Sequence, residues 1–179
     1  MSRKLSAALV ALPFLAAGAF AAGSDSATPP EPTETSTKCP DGEIYDADKK
    51  ACEKSASLNF DDDDRYEAVR ELAYTGRSES ALAVIASADA PESPRFLTYR
   101  GFTLRQMGDT AGAMTAYRKA LALDPGNNLA RSYMAQGLLK EGRRTEAVAQ
   151  LHEIEARAGH GSWAHRSLML ALRGEHTTY

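Results

Sequence analysis

The chain has 179 residues, 21 of them basic and 24 acidic, for a formal net charge of −3, with only two cysteines and four histidines. The charge is unevenly divided: residues 23–64 carry twelve acids against four bases, whereas residues 65–179 carry fifteen bases against twelve acids. An excess of three positive charges without a dense basic stripe attracts phosphate only weakly, which argues against a nucleic-acid partner.

At the N-terminus Arg3 and Lys4 precede an apolar run from Leu5 to Phe20 that continues into Ala21 and Ala22. This pattern predicts a secretory signal peptide over residues 1–22. About 16 apolar residues containing Pro13 and Gly18 fall short of the roughly 20 that span a bilayer, so no stable membrane span is expected after cleavage. An uncleaved anchor is the alternative; the main expectation is an exported chain, periplasmic or secreted. Residues 23–38 are rich in Ser, Thr, Pro and acid, with Pro29, Pro30 and Pro32 close together, and are expected to form a disordered linker because they offer too little apolar surface to bury.

Both cysteines, Cys39 and Cys52, fall in the next segment, residues 39–60. In an oxidising compartment they are expected to form a disulfide, whose loop closure removes on the order of 3 kcal/mol of denatured-state entropy. A redox role favours closer cysteines, and a zinc site needs two more ligands than the neighbouring sequence supplies. Four acids follow, Asp61 to Asp64. They suit a helix start, where carboxylates cap free N–H groups and meet the positive end of the dipole. A calcium loop instead spaces its oxygens along a glycine-containing turn.

Residues 61–179 read as helices throughout. The punctuation predicts Arg65–Thr75 ending at Gly76, then a helix capped by Ser78 and running to about Ser87. The next starts with Ser93 as cap and Pro94 as first residue, and ends at Met107 before Gly108. Asp109 caps a fourth, to about Leu123. Asn127 or Asn128 opens a fifth, to Lys140, and a sixth runs from about Arg144 to Arg157. Ser162 caps a seventh, through Arg173. The expected architecture is all-α, three antiparallel helix pairs plus a final helix.

Three stretches repeat one spacing at a period of about 33 residues, the mark of a repeat architecture. Val69, Gly76, Ala81, Ile85, Ala88 and Ser93 align with Gly101, Gly108, Ala113, Tyr117, Ala120 and Pro125. These in turn align with Ala135, Gly142, Ala147, Leu151, Ile154 and Gly159. The small residues permit close helix approach, the middle glycines suit left-handed helix ends, and Leu72, Leu104, Leu138, Ile85, Tyr117 and Leu151 supply interior bulk.

On these residues the chain resembles the tetratricopeptide repeat family, with the middle unit matching position by position and the outer two drifting. The resemblance covers about residues 62–160 and implies a solenoid of helix pairs. The combination of signal, Cys-Pro-x-Gly loop and three repeats is also similar to small exported repeat proteins of Gram-negative bacteria. In the family the first helix of each pair lines a concave groove. The resemblance therefore implies a groove carrying Tyr66, Arg70 and Tyr74, then Thr98, Phe102 and Arg105, then Ser132, Gln136 and Leu139. Aromatic and arginine side chains suit a protein or peptide partner that brings apolar anchors and some acid. Packing of Tyr66 or Phe102 between helices is the other reading of those two rings.

Catalytic ingredients are sparse. His152, His160, His165 and His176 include no pair at metal-binding helical spacing, and no phosphate loop or nucleophile motif occurs. The expectation is a non-catalytic interaction module with no cofactor and no metal. A self-associating assembly factor of the cell envelope is the alternative. Trp163 begins the last helix, which is expected to cap the third pair; a homodimer contact there is the competing reading.

Overall fold

The computed structural model describes residues 29–175. The predicted signal peptide and residues 23–28 of the predicted linker lie outside the described residues. Among those described, helices α1 (Glu34–Lys38), α2 (Asp62–Tyr74), α3 (Ser78–Ala86), α4 (Pro94–Gln106), α5 (Thr110–Leu123), α6 (Asn128–Lys140), α7 (Arg144–Ala156) and α8 (Trp163–Leu172) dominate. A two-stranded hairpin, β1 (Glu43–Asp46) and β2 (Ala51–Lys54), follows α1.

Helix α1 corrects the expectation of disorder through residue 38. Its five residues bury little apolar surface, but its two ends are held by charges of the repeat region. The Glu71 carboxylate accepts from Thr33 N at 2.6 Å, Thr33 Oγ1 at 2.8 Å and Ser36 N at 3.0 Å. At the other end Arg77 Nη1 donates to the carbonyls of Thr35, Ser36 and Cys39 at 3.2, 3.1 and 2.7 Å. An anion at the N-terminus and a cation at the C-terminus each match the helix dipole. Composition alone misses this clamp because both charges arrive from 35 or more residues away.

Cys39 and Cys52 form a disulfide with a Cα–Cα distance of 5.5 Å. The hairpin beside it is antiparallel, with Tyr45 opposite Cys52, and Asp46 Oδ1 accepts from Asp48 N and Lys49 N at 2.9 and 3.1 Å in its turn. Ile44 and Phe60 join the main core. Gly42 N donates to Ser80 Oγ on α3 at 3.3 Å, and Ser87 Oγ donates to Ser55 Oγ at 2.9 Å. The stapled segment is thus packed on the first helix pair.

Helix starts follow the sequence chemistry in most places. Asp61 accepts from Asp63 N and Asp64 N at 2.8 and 2.9 Å while Asp64 Oδ2 accepts from Asp61 N at 3.1 Å, a reciprocal capping box. Asp109, Asn127 and Ser162 accept from Gly112 N, Ala130 N and His165 N. Two expected caps differ. Arg77 rather than Ser78 precedes α3, and Ser93 makes no side-chain cap bond, although Pro94 takes the first helical position as expected.

The three first helices end alike. Gly76, Gly108 and Gly142 have φ of 77°, 90° and 76°, and the following residues, Arg77, Asp109 and Arg143, donate to Leu72, Leu104 and Leu138 carbonyls at 2.8, 2.9 and 2.9 Å. This is the Schellman closure that reverses the chain. The close approach expected at Gly101 is also present, since a Cβ there would lie 2.5 Å from Tyr117 Cε1. Equivalent positions trade size: Val with Ile at 69 and 85, Gly with Tyr at 101 and 117, Ala with Leu at 135 and 151. All six are buried. Of the expected interior leucines, Leu104 is only partly buried.

Pairs α2/α3, α4/α5 and α6/α7 pack within themselves, and α2, α4, α6 and α8 lie side by side. The last helix buries Ala164, Leu168 and Leu172 and covers the third pair, with Trp163 and Met169 against the core.

Candidate protein-binding face

Residues four apart on α2, α4 and α6 point along one row, and the structure makes that row aromatic. Tyr66 meets Phe96 and Tyr99 at centroid distances of 6.1 and 5.7 Å, and Tyr74 meets Phe102 at 5.4 Å. Phe102 and Tyr99 then reach Tyr133 on α6 at 4.9 and 6.1 Å, and the Tyr74 and Tyr133 hydroxyls are 2.7 Å apart. The expected residues Tyr66, Tyr74 and Phe102 are therefore brought together, with Phe96, Tyr99 and Tyr133 added. Burial of Tyr66 and Phe102 in this seam agrees with the packing alternative. The three additional rings are not singled out by the sequence, because the repeat spacing does not say that adjacent first helices touch through them.

Thr98, Ser132 and Gln136 are buried and bonded to neighbouring elements. Thr98 Oγ1 donates to Pro94 O at 2.7 Å and accepts from Asn127 Nδ2 at 3.0 Å. Ser132 Oγ lies 3.0 Å from Ser167 Oγ on α8, and Gln136 Nε2 donates to Ser132 Oγ and Ser167 Oγ at 3.3 and 3.4 Å. The final helix thus takes the place beside α6 that a further first helix would hold.

Arginines lie against the rings. Arg70 pairs with Glu67 at 2.6 Å and sits 5.9 Å from the Tyr66 ring centroid. Burial opposes its charge, but Tyr99 and Glu67 outweigh that and raise its pKa. Arg95, unforeseen in the sequence, lies over Tyr66 and Phe96 at 5.1 and 5.4 Å while pairing with Asp63. Arg105 lies 5.5 Å from the Phe102 ring. Its side chain is 7% exposed, and Nε and Nη2 have no hydrogen-bond partner among the described residues.

Arg105 lines an open cavity of about 250 Å³ together with Gln136, Leu139, Lys140, Ala171, Gly174 and Glu175. Burial lowers the Lys140 pKa and the nearby Arg105 lowers it further. Two cations, one amide and a leucine therefore share one opening with Glu175, whose carboxylate pairs with Arg173, and a further carboxylate reaching Arg105 and Lys140 relieves both desolvation and like-charge repulsion. Three of the nine expected groove residues, Arg105, Gln136 and Leu139, meet in it.

A family model of the tetratricopeptide repeat matches residues 59–174. The chain belongs to the tetratricopeptide repeat family. No curated protein and no solved structure matches it significantly. The match extends beyond the repeats read from spacing and takes in α8. Tetratricopeptide repeats are generally non-catalytic scaffolds for protein partners. No helix among the described residues is long and apolar enough to cross a membrane. One side-chain cluster has no signature in the sequence spacing. Glu155, His160 and His165 offer ligand atoms that all lie within 4.8 Å of one another. The expectation that no histidines pair for a metal considered spacing along single helices, whereas these three come from α7, the following turn and α8.

Proposed function

We propose that this tetratricopeptide repeat protein acts in an oxidising, exported compartment as an interaction module for a protein segment carrying an acidic side chain beside an apolar one. The single observation that carries this reading is Arg105, a buried guanidinium with two unpartnered nitrogens at the wall of an open cavity. A buried cation left without an acceptor is costly, and an arriving carboxylate supplies the missing bonds in a desolvated setting. Leu139 and Gln136 flank it with apolar and amide surface. The Cys39–Cys52 disulfide supports the compartment, since such bonds persist where thiols are oxidised.

Photo-crosslinkers placed at Leu139 and at the exposed Leu123 on α5, followed by mass spectrometry in the native compartment, test the reading. A protein adduct specific to position 139 and abolished by Arg105→Met is expected. Equal adducts at both positions, or capture unaffected by Arg105→Met, would remove this cavity from the account.

A further inference from the structure

The turn between α7 and α8 is built more tightly than a connection requires. Gly159 N donates to Ile154 O at 2.9 Å, Ser162 N and Oγ donate to Gly159 O at 3.1 and 2.6 Å, and a Cβ at Gly159 would meet Ile154 Cγ2 at 2.5 Å. Ala158 adopts φ of 57° and Gly161 φ of 74°. Alanine carries a steric cost in that region, so the turn is held in place by its surroundings.

Its effect is to present His160 over the first turn of α8. The His160 and His165 rings are 5.2 Å apart between centroids, and His165 Nε2 lies 3.3 Å from Glu155 Oε1 at the end of α7. His160 is exposed, and the other two side chains are partly exposed, so the cluster opens to solvent. Nearby arginines are engaged elsewhere: Arg157 pairs with Glu153, and Arg166 donates to Gly161 O.

We infer that Glu155, His160 and His165 form a binding site for a late first-row divalent cation, with zinc as the reference ion. Two imidazoles and a carboxylate are a donor set suited to zinc, copper or nickel, and they leave a position for water. Bonds of about 2.0–2.1 Å to a tetrahedral ion place neighbouring ligand atoms about 3.3–3.4 Å apart. The His165–Glu155 distance already equals that edge, and all three ligand atoms fall within 4.8 Å. The remaining closure falls to His160, the exposed member of the three. Bound there, the ion links α7 to α8 across the turn and holds the final helix on the third pair. The site is separate from the Arg105 cavity and independent of the partner reading.

Titration of zinc chloride into the untagged full-length chain, followed calorimetrically and by thermal melting, tests the inference. Saturable binding of one ion per chain with a rise in melting temperature is expected. His160→Ala, His165→Ala and Glu155→Gln each weaken binding by about tenfold or more, at least the loss that outer-shell changes cause. His152→Ala and His176→Ala retain it. His160 is exposed, so its variant keeps the wild-type circular dichroism spectrum and loses only the zinc-dependent rise. Absence of saturable binding in the micromolar range, or binding that survives His160→Ala or vanishes in His152→Ala or His176→Ala, overturns the site.

Discussion

The carboxylate of Glu71 on α2 grips Thr33, accepting its main-chain N–H at 2.6 Å and its hydroxyl at 2.8 Å across 38 residues of sequence. Glu71 is 5% exposed, and its carboxylate accepts from Thr33 and Ser36 at the N-terminus of α1. Glu71→Ala is expected to release residues 33–38, at a cost of about 1–3 kcal/mol for the unmade bonds. Hydrogen exchange at Ser36 and Thr37 should rise while the α4 amides keep their protection. Unchanged exchange at those two residues would show that the clamp does not hold α1.

Reduction of Cys39–Cys52 removes a constraint worth on the order of 3 kcal/mol for a loop of this size. The hairpin keeps its contacts with Ser80 and Ser87 through Gly42 and Ser55. Reductant is therefore expected to lower protection across residues 43–54 and leave helices α4 to α8 folded. Global unfolding on reduction would contradict this division.

Gly101 and Tyr117 are complementary in size. Gly101→Val places new atoms within 2.5 Å of the Tyr117 ring, and overpacking of this kind costs about 1–3 kcal/mol. Tyr117→Ile leaves a cavity of comparable cost, about 1–3 kcal/mol. The double variant reproduces the Val69 and Ile85 pair of the first unit and should recover much of the loss, a coupling that a double-mutant cycle measures. Burial pushes the Tyr117 phenol up to about 12, against the pull of Arg105. Its hydroxyl faces Arg105 without a well-formed hydrogen bond, so Tyr117→Phe is expected to melt close to the wild-type temperature.

The acid limb of stability should depend on Asp61 and Asp62. The N–H groups of Asp64 and Asp63 hold the Asp61 carboxyl below its ordinary range. Burial pushes Asp62 up, but the N–H groups of Asp89 and Ala90, with Arg65, outweigh it and leave its pKa lowered. Folded values below the unfolded ones mean that this stabilisation is fully present above about pH 4 and is lost as pH falls through the folded values. Asp62→Asn is expected to flatten the fall in melting temperature below pH 4 relative to the wild type. An identical acid limb in both proteins would exclude this contribution.

Legibility from sequence followed the range of the interaction. The capping box at Asp61 and Asp64 and the closures at Gly76, Gly108 and Gly142 depend on groups within six residues of one another, and each was readable. The candidate face was readable only in part. Spacing places Thr98, Ser132 and Gln136 on the first helices, but Asn127 and Ser167, which bond to them, come from elements 29 to 35 residues away. The unpartnered state of Arg105 depends on what fails to reach it from α6 and α8, which no local pattern records.

The helices of the repeat region, the repeat period and the family therefore follow from the chain read along its length, because backbone caps, left-handed glycines and small-residue spacing are short-range requirements. The docking of Thr33 on Glu71, the aromatic seam from Tyr66 to Tyr133, the Arg105 cavity and the meeting of Glu155 with His160 and His165 belong to the tertiary structure. Each joins side chains from separate elements, and only the packing of helix on helix sets whether they lie within bonding distance.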